Sequence, residues 1–474
     1  MVVDLALYTV IHQPRRLKLP AQPIPRGATA EEIAHCLFDE RMNERYFRKV
    51  AQYSYYPGIQ MFQDLVGQGL KLSIGFSQSF IRQAAAWDGQ LLDMCRALVA
   101  HENVELIGVE PYHSFLFLLD LPAFVARMQD MVRDLELIFG KRPVVTDTTE
   151  MCMSASLYNA LDAAGFQGAL MDGRPWVLEW REATHLYHYG DEVPPAIPID
   201  TSHIRRPALR RNTVPLQEKT RNSPALLTRH VTLSDDVGYR FSNASWDNYP
   251  LFADRYADWI AHASGDLLLL GWDFETFGEH HRRESGIFDF MRALPHELQQ
   301  RGVGTCTASE LIARHAEQSN YLPLPIYPTT WAGNGGMEFF LGNAAQKIIF
   351  SLMGEVYGMA AITNHPEIID LALWLAQSDN LHLIQWYGRS GSEAEVSAYF
   401  TPAEWWQLGP EQIIREQQQV YINALHAMQP YLPARLLRQI ERERKTAAGR
   451  RNDTASDTIA IAQEPALSYL ARHS

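Results

Sequence analysis

Four leucines in a row, Leu267-Leu268-Leu269-Leu270, run across Gly271 into Trp272-Asp273-Phe274-Glu275-Thr276-Phe277-Gly278-Glu279-His280-His281. An apolar run of this length with no alternation reads as a strand buried on both faces. Such a strand belongs inside a parallel sheet covered by helices. Its polar end must then emerge at the rim of a core, which is where α/β enzymes place their chemistry.

The rest of the chain repeats the pattern. Strand-like runs fall at residues 5–11, 70–76, 104–109, 144–149, 168–171 and 267–274, with helical spacing between them, as over 91–99 and 124–138. Alternating strands and helices imply a parallel sheet with helices outside, and the number and spread of strands favour a barrel over a doubly wound layer. At 474 residues the chain exceeds one ordinary core. Residues 1–330 are therefore read as a catalytic barrel. Residues 172–230, rich in Pro, Arg, His and Tyr and weak in periodicity, are read as a long loop insertion or lid. Helical spacing resumes from about residue 342, over 344–353, 366–377 and 410–428, so residues 331–440 are expected to form a helical domain on the barrel. Residues 441–474 are charged and small and read as a solvated, disordered tail.

Composition narrows the function. A net charge of −13 offers no basic field for nucleic acid. No stretch approaches 18 uninterrupted apolar residues, so no membrane span is expected. The four cysteines are scattered and form no CxxC pair, which excludes a zinc ribbon or a disulfide framework. Met1-Val2-Val3-Asp4 leads straight into a strand with no cleavable leader, so the expectation is a cytoplasmic, soluble protein. Eleven Trp and 20 Tyr suit sugar stacking and suit a large core equally. For Trp374, Trp386-Tyr387 and Trp405-Trp406 a bundle core or subunit interface is the preferred reading.

Two strand ends carry carboxylates: Glu150, after Pro143-Val144-Val145-Thr146-Asp147-Thr148-Thr149, and Asp273. A retaining glycosidase needs such a pair, one as nucleophile and one as acid/base. The hydroxyls of Thr148 and Thr149 are expected to hold Glu150 ionised. Trp272, Phe274, Glu275 and Glu279 are expected to raise the pKa of Asp273, as a general acid requires. Taken singly, each has a plainer reading, as a helix N-terminal carboxylate for Glu150 and an N-cap for Asp273. Two further strand ends are polar: His12-Gln13-Pro14, whose side chains suit sugar hydroxyls, and Glu110-Pro111-Tyr112-His113-Ser114.

Four polar strand ends in this order resemble glycoside hydrolase family 57, the family of α-amylases and 4-α-glucanotransferases. His12-Gln13-Pro14 is similar to its first signature region. The stretch from Val104 to His113-Ser114 is similar to its second. Thr149-Glu150 falls where the family carries its nucleophile, and Asp273 through His280 is similar to the region that opens on the acid/base. Ser234-Asp235-Asp236, Tyr239-Arg240-Phe241, Ser245-Trp246 and Gly286-Ile287-Phe288 resemble the α-amylase-like branch. Trp331 and Leu341-Gly342-Asn343 with Gln346 are similar to the fifth region.

The resemblance implies an incomplete seven-stranded (β/α) barrel followed by a C-terminal α-helical bundle. It also implies retaining chemistry on an α-glucan, with no metal and no cofactor. Catalysis falls to Glu150 and Asp273. His12, Gln13, His113, Asp235, Arg240, Trp246, Trp272, Glu275, His280 and Trp331 are expected to bind substrate or shape the site. Two departures stand out. Asp147 precedes the nucleophile, although strand alternation turns it away from Glu150. Residues 332–338 lack the family's charged sugar contacts, so those are expected to be lost.

Two rival readings remain beside this one. One assembles His12, Asp273, His280 and His281 as metal ligands, against which His280 and His281, as neighbours, cannot share a face. A cleft that binds carbohydrate with little turnover is the other. Within the main reading, water as acceptor gives hydrolysis and a second glucan gives transfer.

Overall fold

The computed structural model describes residues 3–190 and 224–438. Seven parallel strands form the centre: β1 (Asp4–Ile11), β2 (Leu72–Phe76), β3 (Val104–Ile107), β4 (Val145–Thr146), β5 (Gly168–Asp172), β6 (Ala225–Arg229) and β7 (Leu267–Asp273). Neighbours pair in chain order, and β7 returns to β1 with Asp4 opposite Leu267 and Val10 opposite Asp273. The ring closes between β3 and β4 through a single bridge, Gly108 to Thr146. Near the bottom, Thr305–Cys306 pairs with Leu5 and Ala6, while β2 pairs with β1 only from Tyr8 onward. This is the expected seven-stranded barrel, with a two-residue strand wedged in where an eighth would run.

The leucine run shows why the strands read as they do. Leu267 and Leu269 point into the barrel with Ala6, Tyr8, Val10, Leu170 and Leu227. Leu268 and Leu270 pack outward against the helices. Both faces are dry, so both alternating sets must be apolar.

One expectation is corrected here. Residues 172–230 are not one irregular insertion, because Ala225–Arg229 is a barrel strand paired over five residues with β5. Its sequence, ALLTR, is too short and too mixed to stand out from the polar stretch before it. Residues 191–223 of that insertion, and the tail from 441 onward, lie outside the described residues.

After Thr330 the chain forms helices Ala344–Thr363, Pro366–Leu375, Asp379–His382, Ser392–Phe400 and Pro410–Met428. They meet the segment that follows β1: Glu416 accepts from the Ala21 amide and Asn423 donates to the Gln22 carbonyl. Trp374 and Trp405 are buried in the helical layer, as the core reading of these aromatics expects. Among the described residues no helix is long and apolar enough to cross a membrane.

A π-helical turn, Ala51–Tyr55, braces the loop after β7. Ser54 donates to the Phe274 carbonyl at 3.3 Å. Gly278 has a φ of +110°, and a Cβ there would sit 1.9 Å from the Tyr53 carbonyl oxygen. Gly278→Ala therefore faces both a disfavoured backbone and a backbone clash, and is expected to cost about 2–4 kcal/mol, read as a fall in urea midpoint.

Candidate active site

Parallel strands deliver their C-terminal residues to one face, and seven of them converge there. Asp172, Arg229 and Asp273 are the last residues of β5, β6 and β7. Asp172 lies opposite Arg229 in the ladder, and Arg229 bridges the cluster. It donates to Asp172 at 2.9 Å, to the Gly271 carbonyl at 2.9 Å and to Asp235 at 2.5 Å. Asp172 and Arg229 are both buried, and the paired carboxylates hold the guanidinium firmly protonated against that burial.

Glu150 sits past β4 in a short 3₁₀ turn with a left-handed φ of +58°, followed by Met151 at +50°. Two successive non-glycine residues in this region store backbone strain. Main-chain bonds hold them there: Thr330 Oγ1 and the Trp331 amide both donate to the Glu150 carbonyl, at 2.8 and 3.1 Å. On the side chain, Trp331 Nε1 donates to Oε2 at 2.7 Å and Ser378 Oγ to Oε1 at 3.3 Å. Thr148 and Thr149 do not reach it. Their hydroxyls donate to the carbonyls of Cys152 and Ser114, so the expected source of support is replaced by Trp331 and Ser378. Asp147 faces away, bound by Tyr8 at 2.7 Å and the Thr148 amide at 2.8 Å.

Across the cleft stands Asp273, half-buried. Among the described residues no side chain donates to its carboxylate. Burial raises both acids, Glu150 to about 8 and Asp273 to about 6, with Arg229 and His12 holding Asp273 down and the negative charge of Asp273 adding to the rise at Glu150. Two carboxyls coupled in this way titrate as a pair, and between the two steps they share one proton. The two hydrogen bonds to Glu150 favour its anion and oppose its burial, which still leaves Glu150 the weaker acid of the pair.

His12 and Ser77 follow the paired residues Ile11 and Phe76, which sets His12 Nδ1 2.9 Å from Ser77 Oγ. His12 Nε2 meets Asp379 Oδ2 at 3.0 Å, and its ring stacks on His113 at 4.2 Å with 20° between planes. His113 has a φ of +54° in a loop held by Glu110, whose buried carboxylate accepts from Ser114 and from the Tyr112 amide. Burial, and then His12, lowers His113 to about 3 and keeps it neutral. Burial works to raise Asp379, but His12, its charge and its hydrogen bond together, brings it well below the usual carboxylate range. Among the described residues His12, His113 and Asp379 also form a grouping able to present metal-ligand atoms within 4.8 Å of one another. Each of these side chains also has a hydrogen-bond partner within the protein, His12 Nε2 at Asp379 and His113 Nδ1 at Ser378, 3.0 Å away in each case.

The cleft beside Asp273 is walled by Arg229, Gly238, Tyr239, Trp272, Thr276, His280 and Trp331. Of the residues expected to touch substrate, His12, His113, Trp272, His280 and Trp331 are thus gathered around the two carboxylates. Others are not. Gln13 is buried, with its Oε1 2.9 Å from the Tyr55 hydroxyl. Glu275 takes the same hydroxyl at 2.5 Å. Asp235 is the partner of Arg229, Arg240 pairs with Asp236 at 2.6 Å, and Trp246 packs edge-on against Trp259. These five brace the walls. Leu341-Gly342-Asn343 and Gln346 are likewise structural, forming a capping box for the helix Ala344–Thr363.

Arg229, Tyr239, Ser378 and Asp379 were missed. Asp379 brings a carboxylate to the site from the helical side, at residue 379 rather than within 332–338. Its signal is Gln377-Ser378-Asp379-Asn380 at the head of a short helix, polar residues amid a strongly apolar stretch.

Residues 6–323 match glycosyl hydrolase family 57. The chain belongs to that family. It is 27% identical over 409 residues to a putative alpha-amylase of Methanocaldococcus jannaschii, covering 82% of this chain and 78% of the relative. Among solved structures it is similar to the 4-alpha-glucanotransferase of Thermococcus litoralis, with a TM-score of 0.60 at 14% identity over 91% of this chain. It spans 60% of that enzyme's length. It is also similar to the branching enzyme of Pyrococcus horikoshii, with a TM-score of 0.55 at 13% identity, covering 92% of this chain and 97% of that one.

Proposed function

We propose that this family 57 glycosidase cleaves α-1,4-linked glucans by double displacement, with Glu150 as nucleophile and Asp273 as acid/base. One observation carries the assignment of roles: Glu150 accepts two side-chain hydrogen bonds, and among the described residues no side chain donates to Asp273. In the first step Glu150 attacks the anomeric carbon while Asp273 protonates the departing glycosidic oxygen. In the second, Asp273 takes a proton from the acceptor, which attacks the glycosyl-enzyme and frees Glu150. Positive charge developing on the sugar favours the Glu150 anion at the moment it is needed. Water as acceptor gives hydrolysis, and a sugar hydroxyl gives transfer. The family and the amylase, glucanotransferase and branching-enzyme relatives support the α-glucan substrate.

His12, His113 and Asp379 would bind the sugar on the donor side, with Tyr239, Trp272, His280 and Trp331 around the bond to be cut. In this reading residues 1–330 carry the chemistry, and residues 331–440 complete the cleft through Ser378 and Asp379. A cytoplasmic location fits the four free cysteines, three of them buried.

The test is product analysis on maltoheptaose with wild type, Glu150→Gln and Asp273→Asn. Shorter sugars alone mark an amylase, and longer sugars beside shorter ones mark a transferase. No product from wild type, or product from Glu150→Gln at the wild-type rate, overturns the proposal. The shared proton adds a pH expectation. The reactive form, Glu150 ionised and Asp273 protonated, exists between the two steps, so kcat/KM is expected to be bell-shaped with limbs near 6 and 8. A sigmoid with no alkaline limb would contradict the pairing.

A further inference from the structure

Glu150 owes its position to the turn over residues 329–335, and that turn has its own anchor. Its internal bonds are the Thr330 amide to the Gly335 carbonyl at 2.9 Å and the Gly335 amide to the Ala332 carbonyl at 3.0 Å. One face of the turn holds Glu150, at the carbonyl through Thr330 and Trp331 and at the carboxylate through the indole. The other face lies on Arg174, two residues beyond the end of β5. Arg174 Nη2 donates to the Trp331 carbonyl oxygen. Its Nε sits 2.5 Å from Asp172 Oδ2, and the other oxygen of Asp172 takes Arg229. A Cβ on Gly335 would come within 2.8 Å of Arg174 Cγ and Cδ, so the stem of the side chain lies flush on the turn. Trp176 adds a bond from its indole to the Asn334 carbonyl at 3.3 Å.

We propose that Arg174 is a positioning residue for the nucleophile: fixed to the barrel wall by Asp172, it grips the carbonyl of Trp331 and thereby keeps the Trp331 indole on Glu150. Arginine suits the task because its planar fork serves a carboxylate and a carbonyl together, while a lysine serves one at a time. The strain at Glu150 and Met151 gives the grip a purpose. A backbone held in the left-handed region relaxes when its restraints loosen, and the carboxylate then leaves its line to the anomeric carbon. Arg174 itself touches no reacting atom.

The inference rests on Glu150 being the nucleophile, and the experiment separates the two. Arg174→Met, Arg174→Lys, Trp331→Phe and the double variant Arg174→Met/Trp331→Phe are assayed on maltoheptaose across pH, with thermal melts as a check on folding. Arg174→Met is expected to lose about 100-fold in kcat with KM changed by less than about threefold, the signature of a misplaced reacting group. Its alkaline limb is expected to move up, because an indole no longer held on the carboxylate stops favouring the anion. Arg174→Lys should recover part of the loss. Adding Arg174→Met to Trp331→Phe should cost little more, since both break one chain of contacts. Additive losses, or an unmoved limb, would overturn the role of Arg174. Separately, Glu150→Gly is assayed with azide on an aryl maltooligoside. A glycosyl azide product establishes the nucleophile, and none removes the premise whatever Arg174 does.

Discussion

Glu150→Gln is expected to abolish turnover and, at pH 8, to make the protein harder to melt. The first effect follows from the chemistry: an amide forms no glycosyl-enzyme, and loss of a nucleophile costs on the order of 10⁴-fold or more in kcat. The second follows from burial. The Glu150 carboxyl has its pKa raised to about 8, above the ordinary 4.5 of an unfolded chain. Below pH 4.5 both states hold the proton and the group is neutral in its effect. As the pH rises from there toward 8, the unfolded chain releases its proton first, and stability falls. Glutamine keeps the shape, lets its oxygen accept from Trp331, and carries no charge to bury. Its melting temperature should exceed that of wild type by a few degrees, roughly, at pH 8 and match it near pH 5. Glu275, raised to about 8, and Glu110 and Asp147, raised to about 7, act with the same sign. The wild-type protein should therefore itself be most stable on the mildly acidic side. Equal melting temperatures at both pH values, with activity gone, would mean that Glu150 is ionised at little cost.

What the sequence showed and what it hid have physical causes. The leucine run was legible because a strand dry on both faces has one composition to choose from, and its polar end then had to lie on a rim. β4 keeps only two residues of the expected six. Its neighbour β3 joins it at one bridge, and the chain must turn early to bring Glu150 into the cleft. β6 was hidden because five mixed residues carry no period of their own. They become a strand through the ladder with β5, a contact made across more than 50 residues of sequence. The two carboxylates proposed as catalytic were legible as strand ends, but their supports were not. Thr148 and Thr149 are adjacent in sequence and turn elsewhere, whereas Trp331 and Ser378 arrive from 181 and 228 residues away. Gln13 was misjudged for a related reason. Its place beside His12 fixes where its backbone lies, yet alternation sends its side chain under the site, to Tyr55.

Arg229 shows how much such an unseen residue can carry, and Arg229→Met should be the most destabilising single change in the barrel. The guanidinium is 3% exposed and serves two carboxylates and a carbonyl. Among the described residues, removing it leaves Asp172, fully buried, with Arg174 alone, and Asp235 with no cation at contact distance. Breaking a buried ion pair from one side typically costs about 3–5 kcal/mol, because the orphaned charge remains in the interior. For a chain of this size that is a fall of roughly 5 °C or more in melting temperature. Asp172, already raised by burial, would take up a proton to relieve the strain, so the loss should shrink as the pH falls. Arg229→Met/Asp235→Asn should be more stable than Arg229→Met alone, although Asp235→Asn in the wild-type background should be destabilising, a reversal that only a shared pair produces. The same change bears on catalysis. Arg229 also holds Asp273, the proposed acid/base, down toward about 6, so without it the acidic limb of the kcat/KM profile should move toward neutrality. A variant with normal stability and an unmoved acidic limb would show that the guanidinium neither balances these carboxylates nor tunes Asp273.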